Sequence, residues 1–245
     1  MKRISPERIT LAMSLTILVI AGACSIDASD RIRGSGDAVL DNRAITEFDE
    51  LQLSGEGRVE FGTGTEGSIQ IEIDDNLLEY IETDVDDGRL VIKTRSSVDI
   101  DPRTDIVYRV GCPAMQMVLL NGAGMIDLAA CVSDSGSTIE LAGAGTVFAR
   151  GIDTERLAVE MPGAGQIVLS GRAAELDVVL SGAGEIEAGE LAARTVTVVT
   201  SGAGTTTVRA SDELDVTLSG SGSVHYFGEP RVTSTITGAG TVGPA

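Results

Sequence analysis

Residues Val178-Val179-Leu180-Ser181-Gly182-Ala183-Gly184-Glu185-Ile186-Glu187 carry the pattern that governs this chain. Apolar and polar side chains alternate on both sides of a Gly-Ala-Gly triad. Alternation at period two, rich in β-branched residues, reads as strand, corner, strand. The triad begins again at Gly122, Gly143, Gly163, Gly202 and Gly238, with Gly-Ser-Gly at Gly220. Successive starts lie 21, 20, 19, 20, 18 and 18 residues apart. A near-constant period of this length marks a solenoid.

The columns around the triads give its kind. Two residues before each first Gly stand Leu120, Leu141, Met161, Leu180, Thr200, Leu218 and Ile236. Four before stand Val118, Ile139, Val159, Val178, Val198, Val216 and Ser234; six before stand Gln116, Ser137, Leu157, Leu176, Val196, Leu214 and Val232. After the triad, Ile126, Val147, Ile167, Ile186, Thr206, Val224 and Val242 resume the inward pattern. Helical periodicity is absent. One coil of this size cannot bury its apolar face, whereas stacked coils place Leu over Leu and Val over Val. Parallel crossovers are nearly always right-handed. The sequence therefore predicts an all-β fold: a right-handed parallel β-helix or β-solenoid of about seven coils of roughly 19 residues over 112–245, preceded by a β-rich region over 37–111. The two glycines of each triad supply either positive φ or close backbone approach at a corner.

Composition narrows the function classes. The 245 residues include 30 Gly, seven aromatics and no Trp, and 37 acidic against 18 basic residues give a net charge of -19. Sequence-independent binding to nucleic acid needs Lys and Arg to displace counterions, so this acidity argues against it. The scarcity of aromatics argues against a stacking platform for bases or sugars. A single histidine, His225, excludes a multi-His metal centre.

The first 23 residues read as an export signal. Lys2, Arg3 and Arg8 form a basic head, Ile9 to Ile20 an apolar stretch, and Ala21-Gly22-Ala23 a small-residue cleavage site. Ala21-Gly22-Ala23-Cys24 resembles a bacterial lipobox with Ala21 in place of the usual Leu, which predicts lipidation of Cys24. The same Ala-Gly-Ala also suits ordinary cleavage just before Cys24. Residues 24–36 then form a polar tether. Losing residues 1–23 removes three basic side chains and Glu7, which leaves a net charge of -21. In an oxidising compartment Cys112 and Cys131, one period apart, are expected on adjacent coils in the same column, joined by a disulfide.

Residues 37–111 lack the triad ladder, although Leu53-Ser54-Gly55-Glu56-Gly57-Arg58-Val59 looks like an early copy. Strand signals recur at Val59 to Phe61, Ser68 to Ile73, Arg89 to Lys93 and Asp105 to Val110, separated by turn signals such as Asp86-Asp87-Gly88. The matching stretches run in order: Ile45 to Leu51 into Leu53-Ser54-Gly55, Asp74-Asp75-Asn76-Leu77-Leu78, Asp87-Gly88-Arg89-Leu90-Val91-Ile92, Cys112-Pro113, and then the triads. In that order the chain, from about residue 38 to its end, resembles the family called putative auto-transporter adhesin, head GIN domain. The resemblance implies an exported, all-β, solenoid-like protein, often lipid-anchored. It brings no catalytic residues with it.

Candidate sites compete with plainer readings. Asp74, Asp75, Asp84, Asp86, Asp87, Asp99, Asp101 and Asp105 cluster in sequence as a calcium site would, but they lack EF-hand spacing and read as solvated turns. Glu140 with Glu160, or Glu185 with Glu187, are carboxylate pairs of the sort glycoside hydrolysis uses. His225 has no nucleophile elbow beside it and reads as a surface or edge residue. Thr197, Thr217, Thr233, Thr235 and Thr237 suggest an outward Thr-rich strip. The expectation is a non-catalytic binding or scaffolding module of the bacterial envelope, without catalytic, cofactor or metal residues. Its partners would be an envelope component or surface ligand, and the membrane through its lipid anchor. The open end near Gly238 to Ala245 would allow a homodimer. The rival is a β-helical polysaccharide-active enzyme, and a structural spacer is a third reading.

Overall fold

The computed structural model describes residues 31–245. The signal segment, Cys24 and the first part of the tether lie outside the described residues. The N-terminal region contains β1 (Ile32–Arg33), β2 (Ala38–Ala44), β3 (Glu50–Ser54), β4 (Arg58–Phe61), β5 (Ser68–Asp74), β6 (Ile81–Asp86), β7 (Arg89–Thr94), β8 (Ile100–Asp101) and β9 (Val107–Val110). The repeats follow as β10 (Met117–Leu120), β11 (Met125–Asp127), β12 (Ser137–Leu141), β13 (Thr146–Met161), β14 (Gln166–Leu180), β15 (Glu185–Thr200), β16 (Thr205–Leu218), β17 (Ser223–Phe227), β18 (Arg231–Ile236) and β19 (Thr241–Pro244). The chain is all-β: a parallel solenoid of about six turns from 117 to 244, preceded by a curled mixed sheet.

Two parallel ladders run the length of the stack. The ladder before the triads takes β7, β3, β10, β12, the second halves of β13 to β16, and then β18. The ladder after them takes β9, β4, β11, the first halves of β13 to β16, β17 and β19. In register, Val118 stands beside Ile139, Ile139 beside Val159, Val159 beside Val178 and Val178 beside Val198. These columns are the inward positions of the sequence repeat, and all five side chains are buried. Each such burial stabilises the stack by roughly 1.5–3 kcal/mol.

The triads are corners, and their glycines answer a requirement of space. From Gly122 onward none of them adopts the left-handed backbone. Instead the main chain crosses each corner directly over the one below. Ala144 donates to the Gly122 carbonyl at 2.9 Å and Thr146 to the Gly124 carbonyl at 3.0 Å, and later corners repeat both bonds. A Cβ on Gly143 would overlap the carbonyl oxygen of Gly122, and one on Gly145 that of Gly124. Positive φ occurs at the triad only in the early copy, at Gly55 and Gly57.

Stacking order departs from chain order at the N-terminal end. Residues 50–61 form a coil directly beneath β10 and β11, so the early copy belongs to the stack. The chain then leaves through β5 and β6, and β7 and β9 return underneath that coil. Antiparallel strands finish this end: β6 along β7, and β5 with β2 along β9. Arg43 joins the two arms, donating to the carbonyl of Ile81 at 2.8 Å and to Thr83 Oγ1 at 3.1 Å. Residues 32–36, assigned from the sequence to the tether, are part of the fold. There β1 pairs in parallel with β8, and Gly36 donates to Asp74.

Candidate functional site

The early coil has no third side, and this leaves a groove. After β4 the chain turns away at Gly62, whose φ is 76°, and Gly64 lies so close to Val110 that a Cβ there would strike its backbone. The chain returns through Gly111 to Gln116, which crosses the open side. Met115 pairs with Val132 of the next coil, and Ser137 Oγ donates to the Met115 carbonyl at 2.9 Å. Between this crossing segment and the stretch leading into β3 lies a groove of about 1080 Å³. Ile45, Phe48 and Pro113 give it apolar wall, while Glu47, Asp49 and Glu66 put acid on its rim. Asp49 is held in place by Gln116 Nε2 at 2.5 Å.

Cys112 and Cys131 are joined by a disulfide with a Cα–Cα distance of 5.3 Å. Cys112 stands three residues before Met115, whereas Cys131 stands one before Val132. The bridge therefore crosses the ladder diagonally instead of joining one column. It fastens the crossing segment to the coil above and fixes one wall of the groove.

The acidic turns do not converge. Asp74 is buried and accepts from the main-chain N–H of Gly36 at 2.6 Å, Arg103 at 2.8 Å and Thr104 at 3.1 Å. Burial pushes its pKa up, but the N–H groups of Thr104, Arg103 and Gly36 outweigh it and hold the carboxyl below its usual range. Asp75 accepts from Ser35 Oγ at 2.6 Å and Asp99 from Arg31 Nε at 2.9 Å. Among the described residues no group of three or more His, Cys, Asp or Glu is gathered to hold a metal.

The carboxylate pairs lie flat. Glu140 and Glu160 are register partners on neighbouring strands, side by side on one outward face. Glu185 and Glu187 are alternate residues of one strand, and Glu187 accepts from Gln166 Nε2 at 2.7 Å. Glycosidic cleavage needs two carboxyl groups flanking the bond from opposite sides, and neither pair does so. His225 lies on β17 between Thr207 of β16 and Gly243 of β19. The Thr residues do not form one continuous strip: Thr197 is followed on the next rung by Asp215, and only then by Thr233. Elsewhere on the surface, cations and anions pair between rungs, as in Arg172–Asp153 at 2.6 Å and Arg156–Asp177 at 2.7 Å. Exposed pairs of this kind add little stability.

The groove escaped the sequence because it arises from a missing side, a matter of stacking order. Its one signal was the isolated early copy at Leu53 to Val59, followed by chain without triads.

Residues 47–230 match the family described as "Putative auto-transporter adhesin, head GIN domain". Among solved structures, a putative adhesin from Bacteroides fragilis NCTC 9343 is 24% identical, covering 87% of this chain and 100% of that one, with a TM-score of 0.78. A putative lipid binding protein from Parabacteroides distasonis ATCC 8503 is also 24% identical, covering 88% and 99%, with a TM-score of 0.72. A putative adhesin from Parabacteroides merdae ATCC 43184 is 21% identical over 88% and 99%, with a TM-score of 0.66. At these identities the likeness is one of fold. No curated protein matches the chain.

Proposed function

This chain belongs to the putative auto-transporter adhesin, head GIN domain family, and we propose that it acts as an exported, lipid-anchored, non-catalytic binding protein of the bacterial envelope. In this reading Cys24 carries the lipid, the residues after it form a short tether, and the solenoid presents a rigid surface to an envelope component. The observation that supports binding is the groove walled by Ile45, Phe48 and Pro113 at the seam of the fold. It is concave and partly apolar, with one wall fixed by the Cys112–Cys131 bridge, which are properties of ligand sites. The same fold carries a protein described as lipid binding in Parabacteroides distasonis, and the Ile45 and Phe48 wall gives an amphiphilic ligand a place here.

The enzymatic rival draws no support from Glu140 and Glu160, whose side-by-side placement leaves no cleft between them. Binding of the exported protein to purified envelope material tests the reading. Thr46→Trp, an exposed change at the groove, should lower affinity without loss of fold; unchanged affinity would remove the groove from the account. Fatty-acid labelling tests the anchor separately. Label that survives Cys24→Ser would place the lipid elsewhere, and no label on the unsubstituted protein would remove the anchor.

A further inference from the structure

The two ends of the stack are built differently. At the N-terminal end the outer strands carry charge, Asp41 and Arg43 on β2 and Glu82, Asp84 and Asp86 on β6, and Arg43 ties the two together. Charges on outer strands are a common defence against edge-to-edge pairing. At the other end, among the described residues, β18 is paired only with β16, and β19 only with β17.

This last described coil has the repeat's inward pattern, and no described strand lies over it. All six residues of β18 are exposed. Val232 and Ile236 are 38% and 44% exposed, whereas their register partners Leu214 and Leu218 on β16 are at 0%. Phe227 adds a further 37%-exposed apolar side chain just before this coil. Charge is missing as well. From Pro230 to Ala245 the only ionisable side chain is Arg231, and Glu213 of the coil below pairs with it at 2.8 Å. A body of net charge -21 after export therefore ends in a coil, residues 230–245, without acidic side chains, the nearest being Glu229 in the turn before it. The β18 edge also lacks Pro, Lys and bulges, the other devices that discourage pairing. By contrast Pro244 on β19 removes a donor from that edge.

The geometry points to β18 as a self-association edge: two copies meet end to end about a two-fold axis, with β18 pairing antiparallel to the β18 of the second copy. The occupant is a second copy because this is where two strongly acidic molecules approach with least repulsion. A two-fold contact makes the edge its own partner. It buries Val232 and Ile236 of both copies and joins two free strand edges. Head-to-tail stacking is excluded by the charged, Arg43-closed opposite end, so assembly stops at the dimer. Because the contact carries no acidic side chain while the bodies repel, salt strengthens association.

Sedimentation equilibrium of the exported protein carrying Cys24→Ser, which removes any acyl contribution, tests this. The expected result is a monomer–dimer equilibrium with a dissociation constant of about 1–100 µM, tightening from low to high salt. Ile236→Glu should weaken it by about tenfold or more, as should Val232→Glu, with the far-UV spectrum unchanged. Leu40→Glu, at an exposed position of β2, should leave it unaltered. A monomer at all concentrations, open-ended polymers, or a dimer weakened by Leu40→Glu and indifferent to both β18 changes would each overturn the proposal.

Discussion

The Cα of Gly182 sits against the carbonyl oxygen of Gly163, one coil below, so closely that a Cβ on Gly182 would overlap that oxygen. The same carbonyl accepts a hydrogen bond from Ala183 at 3.2 Å. Space for a side chain and continuity of the ladder thus exclude each other at this position. Gly182→Ala should destabilise the protein by at least about 3 kcal/mol, because the backbone on both sides is fixed by its ladders. Ala183→Ser should be nearly neutral, since Ser221 already occupies the equivalent place in a later corner. Urea unfolding midpoints of the two variants check the contrast.

Asp74 is buried, and its carboxylate accepts from three main-chain N–H groups that belong to the N-terminal strap and to the loop before β9. Asp74→Asn replaces an acceptor with a donor and should cost about 2 kcal/mol or more at neutral pH. The sign with pH follows from the lowered folded pKa. The stabilisation is complete above the unfolded value of about 3.9 and is lost as pH falls through the lower, folded value. Unfolding free energies of the native and Asp74→Asn proteins should therefore converge in strong acid.

Thr200 and Thr206 occupy inward columns where other coils carry Leu, Met, Ile or Val. Both are fully buried, and among the described residues neither Oγ1 has a hydrogen-bond partner. Thr200→Val and Thr206→Val remove an unpaired hydroxyl at almost constant volume. Each should raise stability by about 1 kcal/mol, read as a higher melting temperature. A fall in melting temperature would show that these hydroxyls are satisfied in solution.

The Cys112–Cys131 bridge closes a loop with a sequence separation of 19 residues, for which chain entropy alone suggests ~3 kcal/mol. Cys112→Ser with Cys131→Ser should lower stability by up to that amount. It should also free the crossing segment at Gly111 to Gln116, raising its amide hydrogen exchange ahead of the repeats. Uniform exchange along the whole chain would contradict a local role for the bridge.

The repeat made most of this architecture legible. Triad spacing placed the corners, and the columns from Leu120 to Leu218 named the core, because a stack of like coils repeats its inward residues. Other parts rest on relations that no local pattern records. That β7 and β9 pass under β3 and β4 depends on pairing across an excursion through β5 and β6, and the 89–110 coil has no glycine triad to announce it. The glycines themselves suited either positive φ or close approach; only the carbonyl of the coil below distinguishes these. The docking of residues 32–36 depends on Asp74, which in sequence is one acid among many. Of the candidate site, Ile45 to Leu51, Pro113 and the two cysteines stood out beforehand as stretches of the resemblance or as a pair, but Ile45 and Phe48 become a wall only where the early coil loses its third side.

The most direct test is equilibrium binding of the exported protein to purified envelope material, with soluble saccharide release followed in the same samples. The expected result is saturable binding, weakened about tenfold by Thr46→Trp, with no release of saccharide. Saccharide release abolished by Glu140→Gln or Glu160→Gln would contradict it and make the protein an enzyme.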